Sequence, residues 1–151
     1  MKVIFLDFDG VLNSALYRDS VENYHENFID ETRMSYLRQI VEETGAVIVL
    51  STTWKTHWDE EDESVFEDTK KINDIFAKFG LKIHSKTENC NDNRNLEISL
   101  WLCSNAVENY VILDDLDFHW SEENRKHFVK TDDSHQGLDE KTTNQAIKIL
   151  K

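Results

Sequence analysis

Residues 2–10 of the chain read KVIFLDFDG, and this stretch decides the fold. Its first half, Lys2–Leu6, is almost uninterruptedly apolar instead of alternating between apolar and polar positions. A strand has this pattern when helices cover both faces of its sheet, as in a parallel sheet. Two carboxylates and a glycine follow at once. The stretch therefore predicts a buried parallel strand that runs directly into Asp7 and Asp9.

Further segments of the same kind follow along the chain. Residues 46–50, 81–84 and 110–113 are predicted as buried strands, and 128–131 as a weaker edge strand. Stripes of apolar residues at helical spacing lie between them, the first formed by Met34, Leu37, Ile40 and Val41. Strands that alternate with helices predict an α/β fold, here a three-layer, Rossmann-like arrangement with helices flanking a central parallel sheet. The length of 151 residues predicts a single domain over residues 1–151.

Capping residues mark the helix ends. Asp30, Ser121 and Asp139 are expected as N-caps, because their side chains can accept a hydrogen bond from the first helical turn. Gly45 and Gly80 stand between a helical pattern and a strand, where a left-handed residue commonly ends a helix.

Composition excludes several classes of function. The chain has 30 acidic and 17 basic residues and a formal net charge of −13, whereas a general nucleic-acid or anionic-membrane binder needs a positive field. No apolar run approaches the ~20 residues of a membrane span, and the N-terminal run is too short for a secretory signal. The two cysteines, Cys90 and Cys103, make no metal or disulfide framework. A cytoplasmic protein with no membrane partner and no obligate protein partner is expected.

Polar side chains end three of the predicted strands. Asp7 and Asp9 follow the first, Ser51 the second, and the pair Asp114 and Asp115 the fourth. In open α/β sheets, ligands bind outside the carboxyl ends of the strands, so these side chains are expected at one edge. Carboxylates gathered there repel one another unless a cation joins them, and all-oxygen ligation suits Mg²⁺. Such a site could support phosphoryl transfer.

These residues also resemble a known family. Residues 7–13, DFDGVLN, resemble the first motif, DxDGxxx, of the haloacid dehalogenase superfamily of phosphohydrolases. Ser51 after an apolar strand is similar to its second motif, and Asp114 with Asp115 to its fourth. The order and spacing agree over nearly the whole chain. The resemblance implies a Mg²⁺-dependent phosphatase that acts through an aspartyl-phosphate intermediate.

The resemblance also implies roles for the carboxylates. Asp7 would be the nucleophile and a metal ligand. Asp9 would be the general acid and base, with its backbone carbonyl on the metal. Asp115 would complete the metal shell, and Asp114 would lie beside it, as a further ligand, or hold the basic residue of the site.

The phosphate-binding residues implied by the resemblance are Ser51, Thr52 and one basic residue. Arg94 is preferred for the basic position because it begins the helix that leads into the fourth strand. Lys86, just past the third strand, is the alternative.

A closer resemblance is to a small group without a cap domain, found in multi-domain RNA-repair proteins and as stand-alone proteins. It is carried by residues 49–55, VLSTTWK, and by residues 97–98, 101–102, 113–115 and 137–138. The segments between the predicted elements are too short for a separate cap domain. An open site could admit a small phosphoester or the end of a macromolecule.

The substrate stays open at the level of sequence. A phosphorylated small molecule is placed first, because the charge of −13 disfavours a long polyanion. A polynucleotide 3′-phosphate, gripped at its end by a patch of Lys55, Lys86 and Arg94, and a nucleotide are the alternatives. A receiver-type phospho-acceptor domain is a remote alternative, since it would carry its phosphorylated aspartate at the end of a middle strand.

Overall fold

The computed structural model describes residues 1–151, which form five strands and six α-helices. The strands are β1 Lys2–Leu6, β2 Val47–Leu50, β3 Ile83–Lys86, β4 Asn109–Asp114 and β5 Phe128–Lys130. The helices are α1 Ala15–Ser20, α2 Glu31–Thr44, α3 Glu67–Lys78, α4 Arg94–Cys103, α5 Glu122–Lys126 and α6 Glu140–Leu150. A 3-10 helix, Thr53–His57, follows β2.

All five strands are parallel and lie in the order β3-β2-β1-β4-β5. The chain builds outward from β1 to β3 on one side, then crosses to β4 and β5 on the other. Strand β1 is therefore the point at which the order reverses, and its carboxyl end is where ligands bind in such sheets.

The two faces of the sheet are covered by different helices, which makes the fold three-layered as predicted. Ile4 and Leu6 of β1 belong to a core of 25 residues that includes side chains of α2, α3 and α6. Val3 and Phe5 point the other way, into a core of eight residues with side chains of α4. Strands β1, β2 and β4 thus bury both of their faces, and this is why they read as continuous apolar runs, whereas His84 of β3 and Lys130 of β5 are exposed at the sheet edges.

The predicted helix caps are confirmed. The side chains of Asp30, Ser121 and Asp139 accept hydrogen bonds from the first turns of α2, α5 and α6. Gly45 and Gly80 both adopt left-handed backbone angles, with φ of +70°.

One strand boundary is wrong by two residues. The sequence predicted a third strand over 81–84, whereas β3 spans Ile83–Lys86. The backbone N–H of Leu81 donates to the carbonyl of Phe76, 2.9 Å away, so Leu81 closes the turn that ends α3 and does not pair in the sheet. The apolar side chain of Leu81 packs into the core from that turn.

No separate cap domain covers the carboxyl edge, as expected. Between β1 and α2 the chain forms only α1 and irregular segments, and between β2 and β3 only the 3-10 helix and α3. None of the helices is both long enough and apolar enough to span a membrane.

Candidate active site

Strand register brings the predicted site residues to one level of the sheet. Leu6 is paired with Leu50 on one side and with Leu113 on the other. The next residues are Asp7, Ser51 and Asp114. The backbone N–H of Asp7 donates to the Leu113 carbonyl at 3.1 Å, and that of Ser51 donates to the Leu6 carbonyl at 2.9 Å. Parallel pairing therefore places three functional side chains next to one another.

Three carboxylates form a cluster at this edge. Asp7, Asp114 and Asp115 each offer an oxygen within 4.8 Å of the others. Asp7 is 6% exposed and Asp114 is 1% exposed. Burial raises the pKa of all three carboxyls, and repulsion between Asp7 and Asp114 raises the pKa of Asp114 further. Buried carboxylates in this number require positive charge nearby.

Arg94 supplies part of that charge. Its Nη1 lies 2.8 Å from Asp114 Oδ2 and 3.7 Å from Asp7 Oδ1, and it donates to the Ser51 carbonyl at 2.8 Å. Its guanidinium also lies over the ring of Phe118, 4.8 Å from the centroid. Asp114 thus holds the basic residue while remaining within the carboxylate cluster.

Lys86 does not reach this cluster. Its Nζ donates to the backbone carbonyls of Lys55 and Trp58, at 3.0 and 2.6 Å, and so fixes the 3-10 helix. Of the two basic candidates, only Arg94 lies against Asp7. Lys55 is likewise bound internally, 2.7 Å from Glu97. The cationic patch expected from Lys55, Lys86 and Arg94 is therefore not formed.

Ser51 has a buried hydroxyl with no protein partner. The residue is 2% exposed and its Oγ makes no hydrogen bond within the chain. Leaving a buried hydroxyl without a hydrogen bond costs free energy, so the Ser51 hydroxyl is suited to donate a hydrogen bond to an oxygen of a bound ligand. Thr52 beside it is fully buried, and its Oγ1 accepts the Trp54 N–H that starts the 3-10 helix. Burial has the largest effect on the pKa of Asp7 and raises it, whereas the charge of Arg94 and, to a smaller extent, the side chain of Thr52 lower it.

Asp9 is oriented differently from Asp7. Its Oδ1 accepts hydrogen bonds from Asn13 Nδ2 at 3.0 Å and Tyr24 Oη at 2.8 Å, and its Oδ2 accepts one from Trp54 Nε1 at 3.2 Å. Burial, followed by the hydrogen bond to Asp9, raises the pKa of Tyr24. The Asp9 carboxylate is therefore held outside the three-carboxylate cluster. That the backbone carbonyl of Asp9 binds the metal ion stays a prediction.

The turn after Asp9 packs directly against Asp115. Gly10 has a φ of +81°, and a Cβ at this position would overlap the side chain of Asp115. Its N–H donates to Asn13 Oδ1 at 2.9 Å, and its carbonyl accepts the Thr131 hydroxyl at 2.7 Å. Only glycine allows the first and fourth strand ends to approach this closely.

Three residues that contact the site are not among the predicted site residues: Asn13, Tyr24 and Thr131. Asn13 stands four residues after Asp9 within the first motif, which is a usable signal. Tyr24 lies in the irregular segment after α1, and Thr131 follows β5. Tyr24 contacts Asp9 across 15 residues of sequence, and Thr131 contacts Gly10 across 121 residues. No local sequence pattern predicts either contact.

Comparison with known proteins gives one family. The model of the HAD domain in Swiss Army Knife RNA repair proteins matches residues 3–143, which is most of the chain. No curated protein and no solved structure gives a significant match. The matched range includes every strand residue except Lys2, and it includes the carboxylate cluster, Ser51 and Arg94. This chain is a member of the family of HAD domains found in Swiss Army Knife RNA repair proteins.

Proposed function

We propose that the chain is a magnesium-dependent phosphomonoesterase that acts through an aspartyl-phosphate on Asp7. The observation that carries the proposal is the carboxylate cluster of Asp7, Asp114 and Asp115, with Arg94 against it. The unpartnered hydroxyl of Ser51 at the same level supports it. Family membership supports a phosphatase-type hydrolase.

The donor set fits a hard divalent cation. Asp7, Asp114 and Asp115 offer only oxygens, which Mg²⁺ prefers, and Arg94 alone leaves the cluster negatively charged. A magnesium ion held by these carboxylates would neutralise their charge and polarise a phosphoryl oxygen.

The first half-reaction transfers the phosphoryl group to the protein. A carboxylate oxygen of Asp7 attacks phosphorus, and the bond from phosphorus to the ester oxygen breaks. Asp9 gives its proton to that oxygen, so an alcohol leaves. Arg94 and the Ser51 hydroxyl hold the phosphoryl oxygens while their charge redistributes.

The second half-reaction releases inorganic phosphate. Asp9, now a carboxylate, takes a proton from a water molecule whose oxygen attacks the same phosphorus. The bond between phosphorus and the Asp7 oxygen breaks, which regenerates Asp7 as a carboxylate and Asp9 as an acid. Tyr24, Trp54 and Asn13 orient Asp9 for both proton transfers.

Hydrolysis of p-nitrophenyl phosphate tests the proposal. The purified chain is expected to release p-nitrophenol with Mg²⁺ present, to lose this activity in EDTA, and to regain it when Mg²⁺ is added in excess. Full activity after exhaustive removal of divalent ions would contradict a metal-assisted mechanism. Accumulation of a long-lived phosphoprotein from acetyl phosphate, without turnover, would instead indicate a receiver-type acceptor.

A polynucleotide 3′-phosphatase is the second candidate, favoured by the RNA-repair context of the family. The charge of −13 weighs against it, as does the internal binding of Lys55 and Lys86. Arg18 is also neutralised, by Asp133 at 2.8 Å. We therefore place phosphorylated small molecules, nucleotides included, ahead of a long polyanion.

Comparison of kcat/KM for p-nitrophenyl phosphate and a 3′-phosphorylated oligonucleotide separates the two candidates. A site that grips a nucleic-acid end should prefer the oligonucleotide and lose that preference as salt rises. A small-molecule phosphatase should show no preference for the oligonucleotide and little dependence on salt.

Replacement of Ser51 by Ala tests the phosphate-binding role. The Ser51 hydroxyl has no partner, so its removal should leave Tm unchanged or raise it by about 2–4 °C. The same change should lower kcat/KM by about 10²-fold, the scale of one lost oxyanion donor. Ser121→Ala is a suitable control, because its hydroxyl accepts a hydrogen bond from the backbone of α5 and from no site residue, so its loss should reduce Tm without changing the rate. Unchanged kcat/KM in Ser51→Ala would remove Ser51 from the site.

A further inference from the structure

A buried ion pair between Lys55 and Glu97 lies within one helical turn of Arg94. Lys55 Nζ is 2.7 Å from Glu97 Oε1, and the two residues are 5% and 2% exposed. Lys55 Nζ also donates to Thr87 Oγ1 at 2.9 Å and to the Glu88 carbonyl at 3.3 Å. The second carboxylate oxygen of Glu97 accepts the Cys90 N–H at 2.9 Å. Both charges are therefore fully paired within the protein.

The pair connects the two segments that carry the phosphate-binding groups. Lys55 lies in the 3-10 helix, four residues after Ser51. Glu97 lies in α4, three residues after Arg94, and residues at this spacing occupy the same face of a helix. Besides the direct bond from Arg94 to the Ser51 carbonyl, the ion pair is a second side-chain connection between these segments.

Stability alone gives little reason for such a pair. Well-packed apolar side chains of similar volume stabilise a core as well as a buried ion pair or better, because both ions lose their hydration. An ion pair differs from an apolar contact in its direction and its fixed length. Here the contact of fixed length joins the 3-10 helix after β2 to the first turn of α4.

We propose that Lys55 and Glu97 are positioning residues, whose ion pair sets the distance of Arg94 from Ser51 and from the phosphoryl group. The proposal rests on the proposed phosphatase function. Phosphoryl transfer depends almost entirely on positioning and electrostatic stabilisation, so a small displacement of Arg94 has a large effect. A misplacement of about 1 Å can lower a rate by about 100-fold.

Three variants separate positioning from stability: Lys55→Met, Glu97→Gln and the double variant. Each single change leaves one buried charge unpaired, so Tm should fall by roughly 10 °C. The double change leaves no buried charge, and most of the lost Tm should return. Its kcat for p-nitrophenyl phosphate should nevertheless stay about 100-fold below that of the parent. Inhibition by orthovanadate, which resembles the transition state, should weaken similarly.

Leu150→Ala provides the matched control. Leu150 is fully buried at the end of α6, beside Ile149, whose carbonyl accepts a hydrogen bond from Asn109 at the start of β4, on the edge of the sheet opposite the site. Its truncation should lower Tm about as much as the single variants do. Activity measured well below Tm should then equal that of the parent. Recovery of both Tm and kcat in the double variant would show that the pair is only structural and would overturn the proposal.

Phosphate binding keeps the test independent of turnover. If the parent hydrolyses no phosphomonoester, the proposed function fails, and calorimetric titration with inorganic phosphate still tests the pair. The parent should then bind phosphate and the double variant should bind it at least about tenfold more weakly, whereas Leu150→Ala should bind it normally. Equal binding by parent and double variant, or none by the parent, would overturn the positioning role.

Discussion

Asp7→Asn is expected to reduce turnover of p-nitrophenyl phosphate by at least about 10³-fold, the scale of losing a nucleophile. The substitution removes the attacking oxygen's charge while changing little volume. The fold should persist, because the remaining amide oxygen can still accept the Phe8 N–H that Asp7 Oδ1 accepts at 2.8 Å. Steady-state kinetics and circular dichroism on the same preparation measure the two expectations together.

An aspartate outside the site serves as the control for this substitution. Asp74→Asn on α3 removes an exposed carboxylate that pairs with Lys70, and it should leave turnover unchanged. Turnover by Asp7→Asn close to that of the parent would exclude Asp7 as the nucleophile.

Asp9→Asn is expected to slow both half-reactions, by about 10²–10⁴-fold, because it removes the general acid and base. The effect on the first step should be smaller for p-nitrophenyl phosphate than for an alkyl phosphate, since p-nitrophenolate leaves without needing a proton. Quench-flow measurements that follow product release and phosphoenzyme decay separate the two steps. Should the substitution change only the concentration of Mg²⁺ needed for activity, the acid and base role of Asp9 would be wrong.

The α/β class was predictable because the buried strands have a recognisable sequence pattern. Continuous apolar runs such as 46–50 and 110–113 are typical of strands with both faces covered, and in the structure both faces of β2 and β4 are packed in the two cores. The start of β3 was predicted two residues too early because an apolar residue such as Leu81 is equally compatible with a strand and with the buried end of a helix. The sequence does not show that the Leu81 N–H closes the last turn of α3. A hydrogen bond to Phe76 decides that boundary.

The carboxylate cluster was predictable for a related reason. Asp7 directly follows β1 and Asp114 is the last residue of β4, so register alone brings them to one level of the sheet. The surroundings of Asp9 were not predictable, because Tyr24 lies in an irregular segment that has no periodic sequence pattern. The ion pair of Lys55 was not predictable either. Its position after Ser51 suggested a cation free to bind substrate, whereas its partner Glu97 lies 42 residues away in the sequence.

A crystal structure with magnesium and beryllium fluoride, a mimic of the phosphoryl group, tests the central claim most directly. The expected result is a fluoroberyllate bonded to a carboxylate oxygen of Asp7, with the metal ion contacting Asp7 and Asp115 and with Arg94 and Ser51 on the fluorines. Fluoroberyllate on a different carboxylate, or a metal ion that contacts neither Asp7 nor Asp115, would contradict the proposed site.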